Sequence, residues 1–295
     1  MNNAEIFIIF NPTSGSCNVR KIQNYEAALK ARGIDAKIHE THYSGHATEI
    51  AQDISRRAPT ACIVAAGGDG TIAEVVDGIT GDAVNLAIYP IGTANVFALE
   101  LGIPFDESRN IDTLLHGRIK HVFPGEIVKH GRSKKFIQMA GIGLDSNIVL
   151  NVSKRSKYYY GKMAYVFQTF SFLLFYDYRA IKLDIDGQTH DAVSVVISKG
   201  RLYAGRYALC AQSMQEEKKF SVVLIKSKSI QAFLLIALKS MGLGGEKSRY
   251  FDSMHARHIT VIAPQNMPFQ CDGDIRCYTP ARIHAAASSI KIKVP

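Results

Sequence analysis

The stretch Ala61-Cys62-Ile63-Val64-Ala65-Ala66-Gly67-Gly68-Asp69-Gly70-Thr71-Ile72-Ala73-Glu74-Val75-Val76-Asp77-Gly78-Ile79 decides how this chain is read. An apolar run of strand length ends in Gly-Gly-Asp-Gly and passes straight into a helical pattern. Ile72, Val75, Val76 and Ile79 recur at i, i+3, i+4 and i+7, one face of a helix. Thr71 and Glu74 have the spacing of a capping box. Three glycines in four positions let the backbone turn sharply and approach a ligand, with the N–H groups of the helix start facing outward. This is a phosphate cradle. Asp69 is unusual inside it, because a carboxylate facing phosphates is repelled unless it holds a metal ion or takes a proton. An Asp-Gly hairpin turn is the bland alternative, and the helix that follows argues against it.

Upstream, Glu5–Phe10 reads as a short buried strand that runs into Asn11-Pro12-Thr13-Ser14-Gly15-Ser16, a turn rich in hydroxyls. A helix from Val19 to Arg32 stops at Gly33. Ile34, Ala36 and Ile38 alternate as a strand leading to Thr41, and Ala47, Ile50, Ala51 and Ile54 mark a helix ended by Pro59. Downstream, a strand at Leu86–Tyr89 delivers Gly92-Thr93-Ala94-Asn95. A helix to Leu101 ends at Gly102, and another with Ile111, Leu114 and Leu115 closes at Gly117. Strands alternating with helices predict right-handed crossovers and a mostly parallel sheet, with ligands beyond its carboxyl ends. Asn11–Ser16, Thr41, Gly67–Thr71 and Gly92–Asn95 all follow strands, so these four loops are expected to converge.

After residue 120 the pattern changes to short strands and turns. Ile181, Leu183 and Ile185 alternate before Asp186-Gly187, and Ala192–Ile197 is expected to pair back as a hairpin. Phe220–Ile225, Ile259–Ala263 and Ile290–Val294 are further strands, with apolar helices over Gly161–Tyr176 and Ile230–Met241. The second domain is thus β-sandwich-like with helical insertions. A length of 295 residues suits two domains. Residues 1–120 carry 10 Lys/Arg against 14 Asp/Glu, a net of −4, whereas residues 121–295 carry 25 against 12, a net of +13. The asymmetry points to different partners, the basic half suiting nucleic acid, an anionic membrane or an acidic substrate. No helix-turn-helix, RNA-recognition or zinc-finger pattern supports nucleic acid. Five cysteines without CxxC spacing read as free thiols in a reducing compartment. The chain has no signal-peptide pattern, and Met163–Phe175 is too interrupted to span a bilayer, so a cytoplasmic location is expected.

These motifs together resemble the diacylglycerol kinase catalytic-domain family. Asn-Pro-x-Ser-Gly (Asn11–Gly15), Gly-Gly-Asp-Gly-Thr (Gly67–Thr71) and Gly-Thr-Ala-Asn (Gly92–Asn95) carry the likeness, joined by Ala140-Gly141-Ile142-Gly143-Leu144-Asp145 and Gln270-Cys271-Asp272-Gly273-Asp274. The resemblance to the soluble bacterial lipid kinases spans the whole chain, with sphingosine and ceramide kinases more distant. It implies an N-terminal Rossmann-like α/β nucleotide-binding domain (1–120) and a C-terminal β-sandwich-like domain (121–289), with residues 290–295 returning to the first sheet. It also implies ATP, Mg²⁺ and a lipid hydroxyl meeting in the cleft. Asp69 then organises Mg²⁺ with the nucleotide. Thr41, Gly67, Gly68, Gly70, Thr71, Gly92 and Thr93 contact the nucleotide, with Asn11, Ser14, Gly15 and Asn95 shaping the same loops. Asp274 falls where the family's Asp-Gly-Glu supplies a general base.

Three positions depart from the family pattern. Asp274 stands for glutamate, Val96 for the aspartate many members carry after Asn, and Glu216-Glu217-Lys218-Lys219 for an acidic Asp-Asp-Gly turn that would hold a structural Mg²⁺. Val96 and Asp274 also motivate a second reading, a nucleotide-binding lipid sensor without turnover. A third is an NAD kinase-like enzyme on a soluble substrate, because Gly-Gly-Asp-Gly-Thr occurs there too. Lys154, Arg155 and Lys157, followed by Tyr158, Tyr159 and Tyr160, read either as an anionic-membrane patch or as a solvated loop. His39, His42 and His46, like His255 and His258, read as exposed polar residues rather than metal ligands.

Overall fold

The strand Ile6–Phe10 (β1) is buried at every position, which requires a sheet covered on both faces. Its alternating side chains enter two separate cores. Phe7 and Ile9 join Ile63, Ala65, Ile72 and Val76 on one side, and Ile6, Ile8 and Phe10 join Ile22, Tyr25, Leu29 and Leu114 on the other. The computed structural model describes residues 4–14, 19–151, 178–203, 207–210, 212–240 and 247–295. In it, β1 lies between Ala36–Glu40 (β2) and Cys62–Gly67 (β3), all parallel, followed by Asn85–Pro90 (β4). Ile290–Val294 pairs parallel to β4 and antiparallel to Arg118–Val122 (β5). The order is β2-β1-β3-β4, then Ile290–Val294, then β5. Helices Val19–Lys30 (α1), His46–Arg57 (α2), Asp69–Gly78 (α3), Val96–Glu100 (α4) and Glu107–His116 (α5) complete the layers.

Among the described residues the second half forms two large antiparallel sheets of six and seven strands and a small two-stranded one, Leu202–Tyr203 with Tyr207–Ala208. The inner faces of the two large sheets share one core, including Phe136, Ile142, Leu183, Ile197, Phe220, Val261 and Phe269, the packing of a β-sandwich. One expectation is corrected. The hairpin partner of Ile181–Ile185 is Gln188–Ala192, paired across Asp186-Gly187, and Ser194–Ser198 crosses into the other sheet between Met139–Ile142 and Phe220–Ile225. Positive φ at both Asp186 (49°) and Gly187 (87°) makes a two-residue turn, so pairing resumes at once at polar Gln188. The apolar run 194–198 is buried throughout and takes a central position instead. Ile230–Ser240 is helical. The expected helix Gly161–Tyr176 and the 154–160 patch lie outside the described residues, as does Cys17.

Side chains tie the two halves together. Asp77 on α3 accepts from the Lys135 backbone (2.9 Å) and pairs with Lys134 Nζ (2.9 Å). Glu100 on α4 accepts from the backbone N–H groups of Arg201 (3.1 Å) and Leu202 (2.9 Å).

Candidate active site between the two domains

The loops after the parallel strands hold one another. Asn11 Oδ1 accepts from both Thr13 N (2.9 Å) and Thr13 Oγ1 (2.8 Å), which curls the chain so that Ser14 Oγ accepts from Gly68 N (2.9 Å). Thr41 is buried and donates its N–H to Phe10 O (2.9 Å). A Cβ on Gly67 would overlap the Thr71 side chain at 2.5 Å, so that glycine makes room for Thr71 beneath the strand end. Asn95, 2% exposed and at φ 49°, closes the fourth loop: its Oδ1 accepts from Gly92 N (3.1 Å) and its Nδ2 donates to Gly92 O (2.8 Å).

Asn11, Ser14, Thr41, Gly70, Thr71 and, from the other domain, Asp274 line one polar cavity of about 280 Å³. Gly67, Gly68, Gly92 and Asn95 form the strand ends and close-packed loops behind it. Thr93 is exposed in the same loop, and Gly15 lies outside the described residues. His42, Tyr43 and Glu74 also line the cavity, which their sequence signals did not reveal. The expected capping box is absent: Gly68 is the N-cap of α3, with no side-chain cap bond, and Glu74 Oε1 instead accepts from Gly45 N (3.0 Å) at the start of α2. Tertiary packing of α2 on α3 gives that carboxylate a better use than its own helix end. Among the described residues, no group of three His, Cys, Asp or Glu side chains is arranged to hold a metal ion unaided.

A second cavity, of about 180 Å³, has apolar walls from Val96, Ile137, Met139, Val149 and Leu202. Its polar side chains are Asp69, Gln138, Asp145, Tyr203, Gln270 and Asp272. Asp69 Oδ1 accepts from Phe97 N (3.0 Å), joining α3 to the start of α4. Asp145 accepts from Tyr203 OH (2.8 Å) and Gln270 Nε2 (2.5 Å), and burial pushes its carboxyl up. A Cβ on Gly141 would meet that carboxylate at 2.0 Å, which accounts for the glycine in Ala140–Asp145. Asp272 accepts from three backbone donors, Ile137 N (2.7 Å), Gln138 N (2.9 Å) and Met139 N (2.9 Å). Burial nevertheless pushes it up to about 6. The two distant motifs therefore build one wall. Asp272 clamps the strand, while Asp274 opens the next strand, half exposed, with Arg276 Nη2 3.6 Å away.

Neighbouring residues face opposite cavities at two places. Asp69 lines the apolar one and Gly70 the polar one; Gly273 lines the apolar one and Asp274 the polar one. One segment from each domain thus runs between a polar and an apolar site. The departing turn at Glu216–Lys219 also finds its place: the carbonyls of Glu217 and Lys219, with that of Met214, receive the buried Lys199 ammonium.

The chain thus pairs a mostly parallel α/β domain with a β-sandwich across a glycine-rich cleft. Residues 5–127 match the diacylglycerol kinase catalytic domain, and residues 139–294 match the YegS C-terminal NAD kinase beta sandwich-like domain. The chain belongs to the diacylglycerol kinase catalytic-domain family, in the form that carries the YegS-type C-terminal domain. It is 27% identical to a diacylglycerol kinase of Bacillus subtilis, over 90% of this chain and 88% of that one. A crystal structure of a diacylglycerol kinase from Bacillus anthracis superposes with a TM-score of 0.76 at 20% identity, covering 100% of this chain and 98% of that one. Yeast NADH kinase shares the fold more loosely, with a TM-score of 0.58 at 12% identity over 100% of this chain and 84% of that one.

Proposed function

We propose that this chain transfers the γ-phosphoryl group of ATP to the hydroxyl of a diacylglycerol-like lipid in the cleft between its domains. The observation that carries the reading is the pair of cavities, one polar and one apolar, separated by Asp69-Gly70 and Gly273-Asp274. The polar cavity offers backbone N–H groups at the start of α3, hydroxyls of Ser14, Thr41 and Thr71, and glycines placed for close approach, which suits a nucleotide's phosphates. The apolar cavity suits acyl or alkyl substituents better than a soluble dinucleotide, and its carboxylates suit a hydroxyl. Asp69, at the start of α3 between the two cavities, would hold a Mg²⁺ bound with the nucleotide, and the ion would neutralise phosphate charge. Asp274 takes the proton from the attacking hydroxyl.

One observation favours a variant of this assignment. Asp69, not Asp274, lines the apolar cavity, so Asp69 is the alternative proton acceptor, with Asp274 acting on the nucleotide side. The positive charge of residues 121–295 supports working at an anionic membrane surface on the cytoplasmic side. Among the described residues no helix is long and apolar enough to cross a membrane.

The test is γ-labelled ATP with a panel of lipids in mixed micelles, NAD as the soluble comparison, and mass spectrometry of the product. A phosphorylated lipid is the expected result. Labelled NADP without labelled lipid would replace the reading by the NAD kinase-like one. ATP binding without any product would leave a lipid sensor.

A further inference from the structure

Lys199 has no exposed surface. Its Nζ donates to the carbonyls of Met214 (2.6 Å), Lys219 (2.9 Å) and Glu217, and lies 5.3 Å from the centre of the Phe220 ring. An ammonium has three N–H donors, and one turn supplies three acceptors, so every donor is matched. Burial pushes Lys199 down to about 7, yet a neutral amine would bring only two N–H groups to three carbonyls. The geometry belongs to the charged form. The Glu217 carboxylate stays out of the cage and pairs with Lys219 Nζ at 3.1 Å. Backbone carbonyls are among the oxygen ligands by which proteins bind hard metal ions. Here the cation is attached to the chain.

The turn it organises touches both passages between the domains. On the first, Phe123 N donates to Gln215 O (2.8 Å), and Lys120 pairs with Glu216 (3.1 Å). On the second, Lys218 Nζ donates to Ala287 O (2.8 Å), while it also lies over the Phe123 ring at 5.1 Å. Gln215 Nε2 further donates to the carbonyl of Ile137 (2.8 Å), a residue of the apolar cavity wall.

We propose that the Lys199 ammonium is a built-in structural cation. It folds the Met214–Lys219 turn into a clasp across both inter-domain passages, and so positions the apolar cavity and Asp274 against the nucleotide loops without a bound metal ion. Lys199 is a positioning residue, and the role holds whatever the acceptor substrate is.

Thermal unfolding without nucleotide tests it. Wild type is expected to melt at the same temperature in EDTA and in millimolar Mg²⁺ or Ca²⁺. Lys199→Met removes the charge at similar volume, strands three carbonyls and is expected to melt about 5–10 °C lower. Lys199→Ala leaves a space of propylammonium shape, so millimolar n-propylammonium is expected to restore much of its lost melting temperature, while n-propanol does not. Small-angle scattering of folded Lys199→Met at 20 °C is expected to report a larger radius of gyration as the clasp opens. EDTA lowering the wild-type melting temperature would overturn the proposal. Equal stability and equal radius in Lys199→Met would do the same. If Lys199→Met does not fold, the chelator comparison and refolding of Lys199→Ala with propylammonium decide.

Discussion

Gly92 and Gly68 cross so closely that a Cβ on Gly92 would lie 2.2 Å from the Gly68 Cα and 2.8 Å from Asn95 Oδ1. Backbone cannot swing aside as a side-chain tip can, so two loops from successive strands fix one another's position. ATP with Mg²⁺ is expected to raise the melting temperature of wild type, and Gly92→Ala to push the loops apart and abolish that rise. Gly68→Val is a second probe, because a Cβ there already meets Ser14 Oγ at 3.3 Å and the Gly92 Cα at 3.4 Å. A full ATP shift in a folded Gly92→Ala protein would place the phosphates elsewhere.

The two carboxylates at the cavity boundary separate by substitution. Asp274→Asn is expected to keep the ATP shift and lower lipid phosphorylation by ~10²–10⁴-fold, the usual size of a general base. Asp69→Asn is expected to change both the rate and its Mg²⁺ dependence. If Asp69→Asn abolishes turnover at every Mg²⁺ concentration while Asp274→Asn retains it, Asp69 is the proton acceptor. Asp274→Glu tests whether the cleft admits one more methylene.

Asp272 gives a pH dependence with a definite sign. Burial raises it from its ordinary 3.8 to about 6 in the folded protein. Protonation therefore favours folding, and the contribution is fully present below about pH 4 and lost as pH rises through about 6. The margin by which wild type out-melts Asp272→Asn is expected to shrink over that window. A margin that grows instead would mean that the three backbone donors outweigh desolvation.

Charge on the second domain has a measurable consequence at surfaces. Binding to vesicles is expected to rise with anionic lipid and weaken with salt. Replacing Lys154, Arg155 and Lys157 together by Gln is expected to reduce it. Equal binding to neutral and anionic vesicles would reduce the charge to a matter of solubility.

Local patterns were legible in the sequence, and partnerships across the chain were not. Strand–glycine–helix punctuation places Gly67–Thr71 and Gly92–Asn95 correctly, because an apolar run ending in glycines leaves the backbone few options. The Thr71/Glu74 spacing misleads because it ignores α2, whose Gly45 N–H takes the carboxylate. The polar character of Gln188–Ala192 hides a strand that a two-residue turn makes inevitable. Asp145 meets Gln270 from 125 residues away, and Lys199 meets carbonyls whose identity no side chain advertises. Such contacts depend on strand order, which periodicity does not encode.

The placement of Ile290–Val294 bears on synthesis. This strand separates β4 from β5, so during translation the N-terminal sheet waits, with both of those edges unpaired, for residues made after the entire β-sandwich. A ribosome must deliver the β-sandwich before the N-terminal sheet can finish folding, and a chain released early would present open strand edges to its neighbours.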